Sequence, residues 1–307
     1  MFHEMAPWVP TFTQSMKNHV QPFIPLTFST VDPSSMKPKC RTVVFRGFLF
    51  EDKNCNVLTF NTDTRSDKFK EIDSYSAEKG TPAPFEACFY FPATEEQFRF
   101  SGSCFVVSRN NISDLTARYS AFNGTNFYPI LSPSVFGNDS ISSAYVNEEL
   151  YTSESIPIVD GAYQEALHTQ NDLLSPSSIS STSDGPVLNF PAYYNPEYCP
   201  PSAKEWELEI HRHWLKLSRT MKSHYRGPDP GAPLTPSLSK QLDKIQRGVD
   251  GAGEDTGLDN FGLVCLCVDQ VNYLNLHNGR GGERWKYTRE IDEKTGLETW
   301  SEQELCP

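Results

Sequence analysis

Residues 41–48 read RTVVFRGF, and the fold turns on how this stretch is taken. Val43, Val44, Phe45 and Phe48 have the β-branched and aromatic character of a buried strand. Yet the stretch also carries Arg41 and Arg46, and a guanidinium is costly to bury unless it meets an anion or a carboxylate. At ~3.3 Å per strand residue the two arginines stand about 16 Å apart, the length of a mononucleotide-like ligand with a phosphate at one end and a ring at the other. Arginine at the phosphate end makes bidentate, charge-assisted contacts, and free strand amides pair with polar ring edges. The odd separation puts Arg41 and Arg46 on opposite faces of a regular strand, so a bulge, a strong barrel twist or a partner subunit must reconcile them. The plain alternative is two arginines capping a core strand against surface carboxylates.

Outward from this strand the pattern stays β-rich. Short apolar runs at 25–31, 40–50, 56–62, 86–91 and 97–108 are interrupted by RSDKFKEIDSYSAEKG, where Phe69, Ile72 and Tyr75 have helical spacing. A short amphipathic helix is expected within 6–20. Strands at such short intervals, antiparallel and broken by one helix, predict a small barrel, so the fold class is mainly β with peripheral helices (α+β). Composition then shifts: residues 109–202 are rich in Ser, Pro and Asn and read as an insertion, disordered in its Ser-rich part at 174–186, with local helix near 114–122 and 145–170. Order returns at 202–225, where Trp206, Ile210, Trp214 and Leu217 form a helical stripe behind a Ser202 cap. A short helix at 236–247 and a Gly/Asp-rich loop at 248–260 follow. Strands are expected at 261–276, 284–291 and 297–305, and the uninterrupted apolar run 261–268 marks a strand buried on both faces. One domain is therefore built from 1–108 and 203–307, wrapped around the insertion.

Composition limits the function classes. Lys and Arg total 27 against 39 Asp and Glu, a net charge of −12, which argues against whole-protein attraction to nucleic acid or an anionic membrane while leaving room for a local basic pocket. The N-terminus lacks a basic leader and an apolar core, and no stretch approaches the ~18 apolar residues of a membrane span. The expected location is the cytoplasm, with the nucleus not excluded. The 8 cysteines include no CxxC pair, so zinc spacing is absent. His211 and His213 stand about 200° apart on a helix and do not form a chelate. No metal site is expected.

A second basic element lies about twenty residues beyond the first. In FNTDTRSDKFKEI (60–72) a strand ends at Asn61 and Thr62, then turns through Arg65 and Ser66 into a helix bearing Lys68. The open amides and partial positive charge of a helix start, joined by hydroxyl and ammonium donors, make a phosphate site. Taken singly, it is an ordinary helix cap.

RTVVFRGF, then TDTRSDK, TEEQFRFSG, HWLKLS before GPDPG, DQVNYLNL, and RWKYTRE before Trp300 and ELCP occur in an order that resembles the split-barrel flavoproteins of the pyridoxamine 5'-phosphate oxidase family, in particular its divergent oxidase-like FMN-binding branch. The resemblance covers about 6–108 and 203–307. It implies an FMN-binding split β-barrel in which Arg41 holds the cofactor phosphate, Thr42, Val43 and Val44 line the flavin through backbone groups, and Arg46 stands near the reactive ring edge. Asn61 and Thr62 match the strand-end pair at the cofactor, Ser66 and Lys68 its phosphate turn, Gln97 a glutamine reaching the ring, and Arg284 a flavin-contacting arginine. The family builds its pocket between two subunits, which implies a homodimer.

Departures limit the transfer. Where the oxidases have two basic residues after the serine, this chain has Asp67 and then Lys68, with Arg65 as a compensating charge. The family tryptophan against the flavin is Leu274, and the substrate motif of arginine and histidine separated by one residue reads Arg280, Gly281, Gly282. The expected function is thus an FMN-dependent oxidoreductase acting on an unidentified small substrate, with vitamin B6 oxidation disfavoured and no catalytic residue assigned. The rival is a non-catalytic flavin carrier, sensor or assembly module. A β-rich structural domain with no ligand is the third reading.

Overall fold

The computed structural model describes residues 5–120, 128–136, 199–253, 255–277, 281–291 and 298–307. Eight strands form one antiparallel sheet: β1 (Pro25–Val31), β2 (Pro38–Phe48), β3 (Val57–Asp63), β4 (Ala83–Phe91), β5 (Glu96–Ser108), β6 (Phe261–Asn275), β7 (Glu283–Ile291) and β8 (Glu298–Leu305). Their order is β3-β2-β1-β4-β5-β6-β7-β8, and a further pairing of β3 with β6 closes the first six into a barrel. β6 has two lives. Phe261–Cys267 pairs with β3 inside the barrel, whereas Gln270–Asn275 pairs with β7 and carries the sheet beyond it. The 15-residue length of β6 makes this possible.

Local sequence explains the strands. In β4 the residues Ala83, Phe85, Ala87, Phe89 and Phe91 are buried in alternation with more exposed neighbours, the period of a pleated strand with one face inward. β6 begins with eight consecutive buried residues because its outer face is also covered, as the apolar run predicts. The cover is the helix α4 (Ala203–Leu215), which follows α1 (Trp8–Lys17), α2 (Asp67–Lys79) and α3 (Ile112–Ser120). α4 starts with a capping box: Ser202 Oγ accepts from Glu205 N at 3.3 Å, and Glu205 Oε2 accepts from Ser202 N at 2.6 Å. Its stripe then buries Trp206 against Phe50 and Phe105, and Trp214 against Phe261. The helices α5 (Arg219–His224) and α6 (Pro236–Gln246) complete the chain's helical part among the described residues.

Two features go beyond what the sequence predicts. α1 plugs the barrel: Phe12 is fully buried and meets Phe89, Phe98 and Phe100 edge-on at 4.9–5.2 Å. The ordered core also continues past Ser108, because α3 buries Ile112, Leu115 and Tyr119, and Tyr128 and Ile130 are buried as well. The helix expected near 114–122 is thus α3, a layer between β5 and α4. The Ser-rich stretch 174–186 and the helix expected within 145–170 lie outside the described residues. At the β5–β6 crossing the ladder shifts register between Ser101 and Gly102, where a Cβ would fall 2.1 Å from the Cys267 carbonyl oxygen. Only glycine allows that approach.

A buried charge cluster docks α4 on the loop after β2. Glu209 is fully buried and accepts from Phe50 N at 3.0 Å and from Arg212 at 2.5 and 2.7 Å. Arg212 also reaches Glu51, which Lys216 contacts in turn. Phe50 and Glu51 both have positive φ, 55° and 58°, so the carboxylate clamps a strained turn. Arg212 Nη2 lies 2.9 Å from His213 Nε2. Glu209 Oε1, which only accepts, lies 3.2 Å from the same Nε2, so this ring nitrogen faces a donor on one side and an acceptor on the other. Burial, the largest influence, holds the His213 pKa below its ordinary value; Glu209 opposes this, and Arg212 and Lys216 reinforce it.

The sign of the pH effect follows. An unfolded histidine takes up a proton below about pH 6.5 while the folded one resists, so stability is full above that pH and falls as pH drops through it. Urea denaturation at pH 7.5 and 5.5 is expected to show the loss, and the His213→Gln variant a smaller one. Equal losses in the two proteins would remove His213 as the cause.

Candidate functional site

β2 and β3 separate where the barrel is split. Their ladder runs from Phe48↔Leu58 to Phe45↔Phe60 and stops there. Beyond it, Arg41–Val44 pairs only with β1, and Asn61–Asp63 pairs only with β6. A notch opens between the two strands, and the β3-facing backbone edge of Thr42, Val43 and Val44 has no ladder partner among the described residues. Both polar atoms of the Asn61 side chain are buried at the notch without a hydrogen-bond partner. A buried amide left unsatisfied is destabilising, and in a native fold it calls for a ligand or water that completes it.

The base of the notch is polar and cationic. The Thr62 and Ser66 hydroxyls lie 3.1 Å apart, and Lys68 Nζ donates to Thr62 Oγ1 at 3.1 Å. Ser66 stands at the N-cap of α2, but its hydroxyl donates to Asp63 O at 2.6 Å instead of capping the first turn. The helix start therefore keeps amides available to an anion. Burial lowers the Lys68 pKa, and the nearby Arg41 charge lowers it further, while Asp63, Asp67 and Glu71 pull it up. Two cations held close enough to repel one another fit an anionic ligand between them.

Arg41 is fixed by partners that no local sequence pattern points to. Its Nη1 donates to Thr30 Oγ1 at 2.7 Å, its Nη2 to Glu71 Oε2 at 2.5 Å, and its guanidinium lies 5.6 Å from the Phe28 ring centroid. Arg46 is placed by a β-bulge. The register shifts between Phe45 and Gly47, which makes Arg46 the extra residue, and its charge acts on the buried Tyr225 hydroxyl. Among the described residues Arg46 has no ion-pair partner. Of the three devices that could reconcile the odd spacing, the bulge is thus present.

Arg65, expected to make up for the charge missing at Asp67, is committed elsewhere. It forks onto Asp63 at 2.7 and 3.0 Å and donates to the carbonyls of Gly227 and Tyr225 and to Asp229. It ties the β3–α2 turn to the GPDPG loop, which leaves Lys68 as the turn's cation without an ion pair among the described residues. Gln97 and Arg284 also stand apart from the notch. Gln97 faces Leu274 and Leu274 faces Arg284, so they share one row across β5, β6 and β7. Leu274 is eleven residues along β6 from Leu263, the partner of Asn61, on the order of 35 Å of strand path. Arg284 Nε meanwhile donates to Asn272 Oδ1 at 3.0 Å.

The position that departs from the oxidase substrate motif has its own geometry. Gly282 has φ +107°, and a Cβ there would lie 3.1 Å from Pro307. A histidine there would be strained by the backbone conformation. Arg280 falls outside the described residues.

Comparisons with known proteins agree with this architecture. The profile of the family described as "Pyridoxamine 5'-phosphate oxidase, FMN-binding domain" matches residues 5–108, which include the notch and the turn into α2. An uncharacterized protein of Saccharomyces cerevisiae is 44% identical over 317 residues, covering 100% of both chains. Pyridoxine/pyridoxamine 5'-phosphate oxidase 2 of Arabidopsis thaliana is 34% identical over 113 residues, 31% of this chain and 52% of that protein. In fold, the chain is similar to a pyridoxamine 5'-phosphate oxidase-related, FMN binding protein of Nostoc punctiforme, at TM-score 0.52 and 20% identity over 100% of both chains. The orphaned Asn61 amide, the open β2 edge and the paired cations fit the cofactor of this group. Residues 5–108 carry the FMN-binding domain of the pyridoxamine 5'-phosphate oxidase family, and the chain as a whole belongs with its full-length Saccharomyces cerevisiae relative.

Proposed function

We propose that the protein is a homodimeric FMN-dependent oxidoreductase that passes electrons between the flavin and a small substrate. The observation that carries this reading is the notch, where an unsatisfied buried amide and two mutually repelling cations await a planar anionic ligand. In it Arg41 and Lys68 hold the phosphate, with the Ser66 and Thr62 hydroxyls as further donors. The unpaired edge of Thr42 to Val44 and the Asn61 amide orient the ring. FMN, once bound, supplies the redox chemistry, and the chain supplies position and charge. Arg46, at the bulge, offers a positive charge beside the ring edge for an anionic substrate. The long path between the notch and the Gln97–Arg284 row favours a dimer, in which a second copy brings that row to the first copy's flavin.

Purified protein is expected to be yellow and to release FMN on denaturation. Protein that stays colourless after incubation with FMN rejects the proposal. Gly282 favours a second reading, a flavin-binding module without turnover, because the substrate histidine of the oxidases is absent there. Adding reduced nicotinamide cofactor to the loaded protein under air separates the two: sustained oxidation marks an enzyme, and a silent flavin marks a module.

A further inference from the structure

The phosphate end of the notch contains a carboxylate. Glu71 lies one turn beyond Lys68 on α2, so the two side chains share a helix face. Its Oε2 accepts from Arg41 Nη2 at 2.5 Å and from the Thr30 hydroxyl at 2.8 Å, while that hydroxyl accepts from Arg41 Nη1 at 2.7 Å. Glu71, Thr30 and Arg41 thus form a closed triangle, with the Arg41 and Glu71 side chains only 19% and 12% exposed. Glu71 is also close enough to Lys68 to act on its charge. An anion site made only of attractive groups has no use for a buried negative charge at its centre.

We infer that Glu71 is a resident counter-ion of the phosphate site, which holds the Arg41 guanidinium until the ligand's phosphate competes for it, and so sets the affinity for the phosphorylated cofactor. The inference rests on the reading of the notch as the flavin site. Arg41, Lys68 and Glu71 together present one net positive charge to a phosphate that brings nearly two negative ones, with Asp67 at the α2 start as a further carboxylate. Glu71 therefore repels the ligand at the same time as it orders the ligand's principal donor. Retaining the acceptor while removing the charge separates these two effects. Glutamine at 71 keeps an oxygen for Arg41 and Thr30, removes one negative charge from beside the two cations, and is expected to bind phosphate more tightly. If Glu71 served only to hold Arg41 in place, the same change would leave binding equal or weaker.

The test compares wild type with Glu71→Gln by flavin fluorescence titration with FMN, and by thermal shift with inorganic phosphate. We expect FMN to bind roughly tenfold more tightly to the variant at low ionic strength, the gain shrinking as salt screens it. Inorganic phosphate should likewise raise the melting temperature of the variant more than that of wild type. A variant that gains nothing for either ligand overturns the inference. If neither protein binds FMN but phosphate protects the variant more strongly, the flavin reading fails and the counter-ion role stands. Should Glu71→Gln not fold, Glu71→Asn, too short to reach Arg41 in the same way, must show the same gain in phosphate protection or the role is rejected.

Discussion

Arg41→Glu is expected to lower FMN affinity by about two to three orders of magnitude, the effect of truncating a charge-assisted contact and adding repulsion. The Arg41 charge acts on Lys68, and in the variant it would be replaced by a second carboxylate beside Glu71. Two anions would then face the phosphate with Lys68 alone to offset them. The fold should survive, because Arg41 is partly exposed and lies outside the apolar core cluster. Equilibrium dialysis against FMN, with circular dichroism as the check on folding, measures both. Undiminished affinity in a folded Arg41→Glu protein would take Arg41 out of the site and leave the phosphate to Lys68 and the Thr62 and Ser66 hydroxyls.

The second large effect concerns stability. Glu209→Ala leaves the Phe50 amide without its acceptor and takes from the largely buried Arg212 its fully buried carboxylate partner. Removing one partner of a buried ion pair costs about 3–5 kcal/mol, with the strained Phe50–Glu51 turn released as well. For a chain of this size the melting temperature should fall by roughly 10 °C. Calorimetry gives the number. A shift of no more than about 2 °C would mean that the turn and α4 are held by the Trp206–Phe50 contact and not by the carboxylate.

Both predictions involve residues whose partners the sequence conceals to different degrees. The strands were legible because alternation in β4 and the unbroken apolar run of β6 each follow from one or two buried faces. The phosphate turn was legible because Ser66 and Lys68 sit at a helix start. Glu209 and His213 left a signal that a stricter reading would catch: they fall at the core-facing spacing from Trp206 and Ile210, where a charged residue needs a buried partner. Glu71 left none, since a glutamate three residues after a lysine reads as an ordinary solvated pair, and only the return of β2 against α2 brings Arg41 to it. The α3 helix was expected, but its place in the core was hidden in a polar context, where three buried side chains suffice because β5 and α4 supply the rest of the layer. The commitment of Arg65 to the GPDPG loop is a contact between residues more than 160 positions apart, beyond the reach of any local pattern.

The cork that α1 drives into the barrel fixes where a cofactor has room. Phe12 and its aromatic neighbours fill the lumen, so the described residues leave no hollow inside the staves for a three-ring molecule. A flavin held at the notch as proposed would lie against the wall of the barrel and outside its lumen. Any protection of its reduced form from oxygen would then have to come from outside the barrel, the part that the second copy of the proposed dimer would play.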